Sequence, residues 1–264
     1  MSQPIMVSLP SVEIATYVDG EEGRPWIILS NSLGAIHAMW EPQLELLTTS
    51  YRVLRYDTRG HGGSSAPPAP YILDDLVGDI IGILDHYGID SADMLGLSLG
   101  GTTMMRLATA HPERVRKLVI CDASAETESA DLDRWDRRIA QVMSEGTLSL
   151  GDELLERWYT PAFRDARPDI MAWSLEMLGR VSATGYAGCA AALKDVHLLR
   201  DLPALRIETL LISGKQDSQT PVKMAQMADI IPGARFAAID PGAHFPNVES
   251  ASLFNDLMVR FYDG

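Results

Sequence analysis

A chain of 264 residues, 46% hydrophobic and 22% charged, has the length and apolar content for one globular domain with a large core and room for an inserted subdomain. Its formal net charge of −14 argues against nucleic acid or an anionic membrane as partner, since both require a basic surface, and obliges any anionic small molecule to be drawn in by a local cationic patch. Met1 to Pro10 carries no basic stretch followed by an apolar run, and no later segment approaches the roughly 18 uninterrupted apolar residues of a membrane span, so a cytoplasmic protein is expected.

The first segment, Ile5 to Tyr17 with Asp19-Gly20 as a turn signal, reads as the start of a hairpin. Trp26 to Leu29 is a buried-strand run, followed by the loop Ser30 to Gly34 and by Trp40, Leu44 and Leu47 at helical spacing. Tyr51 to Tyr56 is the next strand. Its exit, Asp57 to Ser65, is a glycine-rich turn running into Pro67-Pro68-Ala69-Pro70. Ile72, Leu76, Ile80, Ile83 and Leu84 form the apolar stripe of a helix from which the acids Asp75 and Asp79 point away. Strand Ala92 to Leu97, a helical pattern over Thr102 to Ala110 and strand Val115 to Cys121 continue a strand-helix alternation, which implies a parallel sheet covered on both faces. From about Glu126 to Arg200 the alternation breaks, and the chain is helix-favouring and rich in Trp, Met, Leu and charge. It returns with Thr209 to Ile212, a helix starting near Pro221, strand Arg235 to Ile239 and a final helix from Glu249 to Tyr262. The expected division is a core of residues 1–125 and 201–264 with a helical cap over 126–200. Cys121, ending an apolar run, and Cys189, in a small-residue stretch, read as buried thiols, with no disulfide framework and no metal site.

Gly96-Leu97-Ser98-Leu99-Gly100-Gly101 lies between a strand and a helix, the context of a G-x-S-x-G nucleophile elbow. A serine forced into so sharp a turn crowds its neighbours, and glycine at 96 and 100 relieves the crowding. Ser98 is therefore the candidate nucleophile, and the N–H of Leu99 at the first helical turn is aimed where negative charge develops during attack on a carbonyl. A serine hydroxyl needs a base, and the base needs an orienting acid. Of six histidines, only His244 lies in a loop directly after the last strand; His37, opening the first helix, is the alternative base. His61, in a glycine turn, is assigned a structural hydrogen bond, and His86, His111 and His197 fall in or beside helices. Asp217, after the strand Thr209 to Ile212, is the leading acid. Asp122 is a relocated alternative, and Asp240 is too near His244 in sequence to reach its ring. The second oxyanion donor is assigned to the N–H of Leu33 in Asn31-Ser32-Leu33-Gly34.

With these residues the chain resembles the α/β-hydrolase superfamily and, within it, the 3-oxoadipate enol-lactonases. The resemblance is carried by Leu29 to Gly34 with Met39-Trp40 and Pro42-Gln43, by Arg55 to Gly62, by the elbow, and by Gly185-Tyr186-Ala187-Gly188-Cys189. It covers nearly the whole chain; the elbow specifies only the superfamily, and the first loop and the 185–189 segment narrow it. It implies an α/β-hydrolase fold, with a mostly parallel eight-stranded sheet flanked by helices, and cofactor-free opening of 3-oxoadipate enol-lactone to 3-oxoadipate in the β-ketoadipate route of aromatic catabolism. For the carboxylate of such an anionic lactone the resemblance points to Trp135; spacing adds Arg138 one helical turn further on, with Arg134 and Arg157 in reserve. A general carboxylesterase, a carbon-carbon bond hydrolase or a slow-turnover ligand receptor would use the same scaffold. The sequence carries no signal for an oligomeric state.

Overall fold

The computed structural model describes residues 3–262. Eight strands form one sheet in the order β1-β2-β4-β3-β5-β6-β7-β8. β1 (Ile5–Ser8) and β2 (Glu13–Asp19) are an antiparallel hairpin, and β2 pairs antiparallel with β4 (Arg52–Tyr56). From β4 onward, β3 (Trp26–Ser30), β5 (Ala92–Leu97), β6 (Val115–Cys121), β7 (Glu208–Gly214) and β8 (Arg235–Ile239) are parallel. The hairpin turn falls at Leu9 to Val12, where Leu9 N–H donates to Val12 O, and Asp19-Gly20 instead ends β2. Both are turn signals. Their rank is decided by β2 continuing to a second partner, β4, which a sequence pattern does not reveal.

Successive side chains of a strand point to opposite faces, so the central strands feed two cores. Leu95, Leu97, Val119 and Cys121 join the core on one face, and Met94, Leu118 and Ile120 join the other. The first face is covered by α1 (Glu41–Leu47), the second by α2 (Leu73–His86) and α3 (Leu99–Ala110). Each fully buried aliphatic contributes roughly 1.5–3 kcal/mol, which is why these runs are the most legible part of the chain. Asp75 points off the apolar stripe of α2 and accepts the Ile72 N–H, but Asp79 is buried, holding Arg59 through Nε and Nη2 at 2.8 Å each. A helical pattern reports that a residue leaves the stripe, not that a partner awaits it.

Between β6 and β7 the chain forms five α-helices: α4 (Leu132–Glu145), α5 (Gly151–Trp158), α6 (Pro161–Ala166), α7 (Pro168–Gly179) and α8 (Ala183–Lys194). α8 is docked to the β4 exit turn by backbone contact: a β-carbon on Gly185 would lie 2.4 Å from Gly60 Cα, and Ser182 N–H donates to Gly60 O at 2.9 Å. The chain returns to the sheet through α9 (Thr220–Ile230) between β7 and β8. The final helix is split into α10 (Pro246–Glu249) and α11 (Ala251–Tyr262), because Ser250 leaves helical geometry (φ −125°, ψ 50°) and donates its hydroxyl to Pro241 O. Both cysteines are free and buried. Among the described residues no helix is long and apolar enough to cross a membrane.

Candidate active site

β5 ends at Leu97 and α3 begins at Leu99, so Ser98 alone makes the turn, at φ 55° and ψ −113°. A non-glycine residue held there costs of order 1–3 kcal/mol and persists only when its surroundings over-determine it. Ser98 N–H donates to Cys121 O (2.8 Å), Ser98 O accepts from Thr102 N–H (2.9 Å), and Gly100 N–H donates to Asn31 O (3.0 Å). The glycines are there for space: a β-carbon on Gly96 would lie 2.4 Å from Gly100 O, and one on Gly100 would lie 2.2 Å from Ser30 O. The turn leaves Ser98 partly exposed in the wall of a cleft of about 880 Å³. Leu99 opens α3, so its N–H has no acceptor within the helix.

His244 and Asp217 leave adjacent strands and meet, Nδ1 and Oδ2 being 2.6 Å apart with both side chains 2% exposed. The ionised carboxylate only accepts, so Nδ1–H donates and Nε2 is left as the ring's proton acceptor. Burial pushes the His244 imidazole below its ordinary pKa of 6.5, and the Arg157 guanidinium adds to the shift, against the pull of Asp217. For Asp217 burial works upward, but His244 and Arg157 outweigh it and hold the carboxyl at about 2. The pair therefore rests as neutral imidazole beside carboxylate, the state of a base and its orienter.

Two of the alternatives weighed from sequence are engaged elsewhere, and the third is not. His37 is tied through Nδ1 to Asp57 (2.8 Å) and stacked on Tyr17. Asp240 pairs with Lys215 (2.8 Å). Asp122 lies beside the His244–Asp217 pair, with a carboxyl oxygen within 4.8 Å of an imidazole nitrogen of the one and a carboxyl oxygen of the other.

The Asn31-Ser32-Leu33-Gly34 loop is clamped from below. Asn31 Nδ2 donates to Tyr56 O (2.6 Å), Trp40 Nε1 donates to Asn31 Oδ1 (3.0 Å), and Gly34 N–H donates to His61 Nε2 (3.3 Å). Burial lowers His61 to about 4, so the ring is neutral, with Nδ1–H on Arg59 O and Nε2 free to accept. The structural hydrogen bond expected of His61 is thus one that sets the backbone beside Leu33.

The inserted helices line the cleft with Arg134, Trp135, Arg138, Glu153, Glu156 and Arg157. The expected Trp135 and Arg138 both lie on this wall, but Arg138 is already engaged: its 7% exposed side chain bonds Glu153 Oε1 through Nε (3.0 Å) and Nη2 (2.5 Å). Arg157 is more open, 33% exposed, with Nε 3.7 Å from Asp217 Oδ1. Its role as a neighbour of the acid was not visible in the sequence, nor was its backbone link to the base. His244 N–H faces Arg157 O (3.4 Å), Phe245 N–H donates to Trp158 O (3.0 Å), and the Trp158 and Phe245 rings stack 4.5 Å apart. Such pairings join residues nearly ninety positions apart, and no local pattern announces them.

The Arg157 charge makes a direct prediction. Arg157→Gln removes a cation that disfavours imidazolium, so the His244 titration should move upward, toward 6.5. Nuclear magnetic resonance titration of the ring checks it; an unmoved or lowered midpoint would show that Arg157 does not set this charge state.

A family profile described as alpha/beta hydrolase fold matches residues 25–148. The chain is 37% identical over 207 residues to 3-oxoadipate enol-lactonase 2 of Acinetobacter baylyi, covering 78% of this chain and 77% of that protein. It is 30% identical over 249 residues to RutD of Azorhizobium caulinodans, a carbamate hydrolase by provisional name, covering 90% and 91% of the two chains. The crystal structure of the enol-lactonase from Burkholderia xenovorans superimposes with a TM-score of 0.95 at 35% identity, over 98% of this chain and all of that one. An elbow serine at the edge of a mostly parallel sheet, together with this likeness along most of its length, places the chain in the α/β-hydrolase superfamily, where it belongs to the family of the 3-oxoadipate enol-lactonases.

Proposed function

We propose that the chain hydrolyses 3-oxoadipate enol-lactone to 3-oxoadipate in the cytoplasm, as a step of aromatic catabolism, through an acyl-enzyme on Ser98. The observation that carries the reading is the convergence of Ser98 and Asp217, whose carboxylate holds His244, on one cleft whose inserted wall adds Trp135 and three arginines. The named enol-lactonases among its relatives and structural neighbours support the substrate.

In this scheme Ser98 Oγ attacks the lactone carbonyl and passes its proton to His244 Nε2, while Asp217 holds the ring and balances the imidazolium. The N–H groups of Leu33 and Leu99 receive the oxyanion, each donor worth about 3–4 kcal/mol of barrier. Collapse breaks the ring carbon–oxygen bond, and His244 returns the proton to the leaving enol oxygen. His244 then takes a proton from water as it attacks the acyl carbon, and passes it to Ser98 Oγ as the acyl bond to that oxygen breaks and the product leaves. The scheme uses no cofactor and no metal.

The inserted helices act as the cap that recognises the rest of the anionic substrate. We place its carboxylate against the Trp135 indole N–H and the Arg138 guanidinium, with Arg134 and Arg157 supplying a focused positive potential within a strongly anionic protein. Glu153 holds Arg138 in place at the expense of part of its charge. Trp135→Phe, which keeps the packing and deletes the N–H, should raise KM for the lactone, and Trp135→Ala should raise it further. Steady-state kinetics on the lactone and on a neutral ester of matched size test both substrate and site. Equal kcat/KM for the two would favour a general carboxylesterase, and unchanged KM in both variants would leave Trp135 as packing alone.

A further inference from the structure

Asp122 follows β6 as Asp217 follows β7, and it stands at φ 41°, a strained conformation for a residue with a β-carbon. Its backbone N–H is fixed on Ile212 O at 3.0 Å. Its carboxyl is buried and fully dressed: Ser213 Oγ–H donates to Oδ1 at 2.5 Å, Gly214 N–H lies 3.1 and 3.2 Å from the two oxygens, and Cys121 Sγ is 3.4 Å from Oδ2. It lines the same cleft as Ser98 and Asp217. Two carboxyls and one imidazole thus share a site in which one polar side-chain atom of each lies within 4.8 Å of the other two.

Two carboxylates at such range do not both ionise beside a single neutral imidazole. Asp217 keeps the charge, because it has the His244 ring and Arg157. Asp122 keeps a proton, its carboxyl raised by burial and then by the charge of Asp217. We infer that Asp122 is a reserve acid for His244, a positioning residue that stands protonated beside Asp217 and becomes the orienting carboxylate when the Asp217 charge is lost. The move is a transfer of role from one strand end to the next. With Asp217 neutral, the repulsion that adds to burial in keeping Asp122 protonated is gone, and the His244 Nδ1–H has lost its acceptor; that donor joins those of Ser213, Gly214 and Cys121 in favouring the carboxylate, so Asp122 releases its proton to water and accepts the Nδ1–H. This rests on the triad assigned above. Its rival is plain bracing, in which Asp122 only ties down Ser213 and Gly214.

A double-mutant cycle on a 4-nitrophenyl ester separates the two. An imidazole that loses its acid in a triad loses about 10⁴-fold in turnover. With Asp122 in reserve, Asp217→Asn should lose only about 10²-fold, Asp122→Asn about 3-fold, and the double variant about 10⁴-fold or more. Asp122→Asn would then cost far more when combined with Asp217→Asn than alone. A bracing residue costs the same factor in both backgrounds, and that result would overturn the inference. Should the Asp122 variants fail to fold, Asp217→Asn decides alone: a loss below about 10³-fold supports the reserve acid and a greater loss overturns it. Full ester turnover by Ser98→Ala would strike the triad itself, whereas an inert Ser98→Ala with an additive cycle strikes only Asp122.

Discussion

Ser98→Ala and His244→Ala are each expected to lower kcat by about 10⁴- to 10⁶-fold, because nucleophile, base and acid act as a unit and the loss of one strands the others. Their stabilities should differ. Ser98→Ala removes one partly exposed hydroxyl and leaves the turn as it was, so its melting temperature should stay near that of the parent. His244→Ala takes the ring from a carboxylate that is 2% exposed, leaving Arg157 and the Thr220 hydroxyl to compensate only in part. A buried charged acceptor left without its donor costs about 1–3 kcal/mol or more, so this variant should melt lower. Kinetics on either the lactone or an activated ester, with thermal melts of each variant, give the comparison. Substantial turnover by Ser98→Ala would remove the acyl-enzyme from the scheme.

Gly100→Ala should be severely damaging at the active edge. Its β-carbon would lie 2.2 Å from Ser30 O, 2.5 Å from Ser30 C and 2.8 Å from Ser30 Oγ. The nearest two are backbone atoms, which cannot swing aside as a side chain can, so the elbow and the end of β3 must part. Parting them strains the Gly100 N–H to Asn31 O bond and the 2.6 Å contact of Ser30 Oγ with the Tyr56 hydroxyl. It also separates Leu99 from Leu33, the two assigned oxyanion donors, which lie on opposite sides of the contact. Overpacking of this kind costs about 3 kcal/mol or more, and a misplacement of order 1 Å at reacting groups costs about 10²-fold in rate. Gly146→Ala is the control, since Gly146 has φ 83° and ψ 168° and nothing within 4 Å of a β-carbon, leaving conformational strain of about 1–3 kcal/mol and no effect on turnover. Denaturant midpoints and kcat for both variants decide it; equal losses would mean that the contact with Ser30 yields easily.

What the sequence makes legible follows from how local each signal is. The ends of β5 and β6 fall where the apolar runs end, because a buried strand is written as a continuous apolar stretch bounded by turn residues. The elbow is legible because Gly96 answers a clash with Gly100, four residues on, although the close approach of Ser30 that Gly100 answers is not local. Asp217 and His244 are legible as loop residues following strands, although their 2.6 Å contact is not. Beyond that range the signal fails. The Arg59–Asp79 pair, the His37–Asp57 pair and the bond from Gly34 to His61 each join residues 20 or 27 apart, and each looks locally like an ordinary polar side chain or turn. Arg138 reads as an available cation because Glu153, its partner, lies on the next helix of the insert.

The carbonyls of Arg157 and Trp158 that face the His244 and Phe245 amides make the inserted helices less of a module than their place between two strands suggests. A grafted insert from another hydrolase would arrive with its own backbone at this point and would relocate the imidazole as well as the pocket. Substrate range and turnover are therefore inherited together in this chain. An exchange that seeks a new substrate while keeping the rate has to leave residues 157–160, and with them the Glu249 carboxylate that grips both Thr160 and the Ala243 amide, in the recipient scaffold.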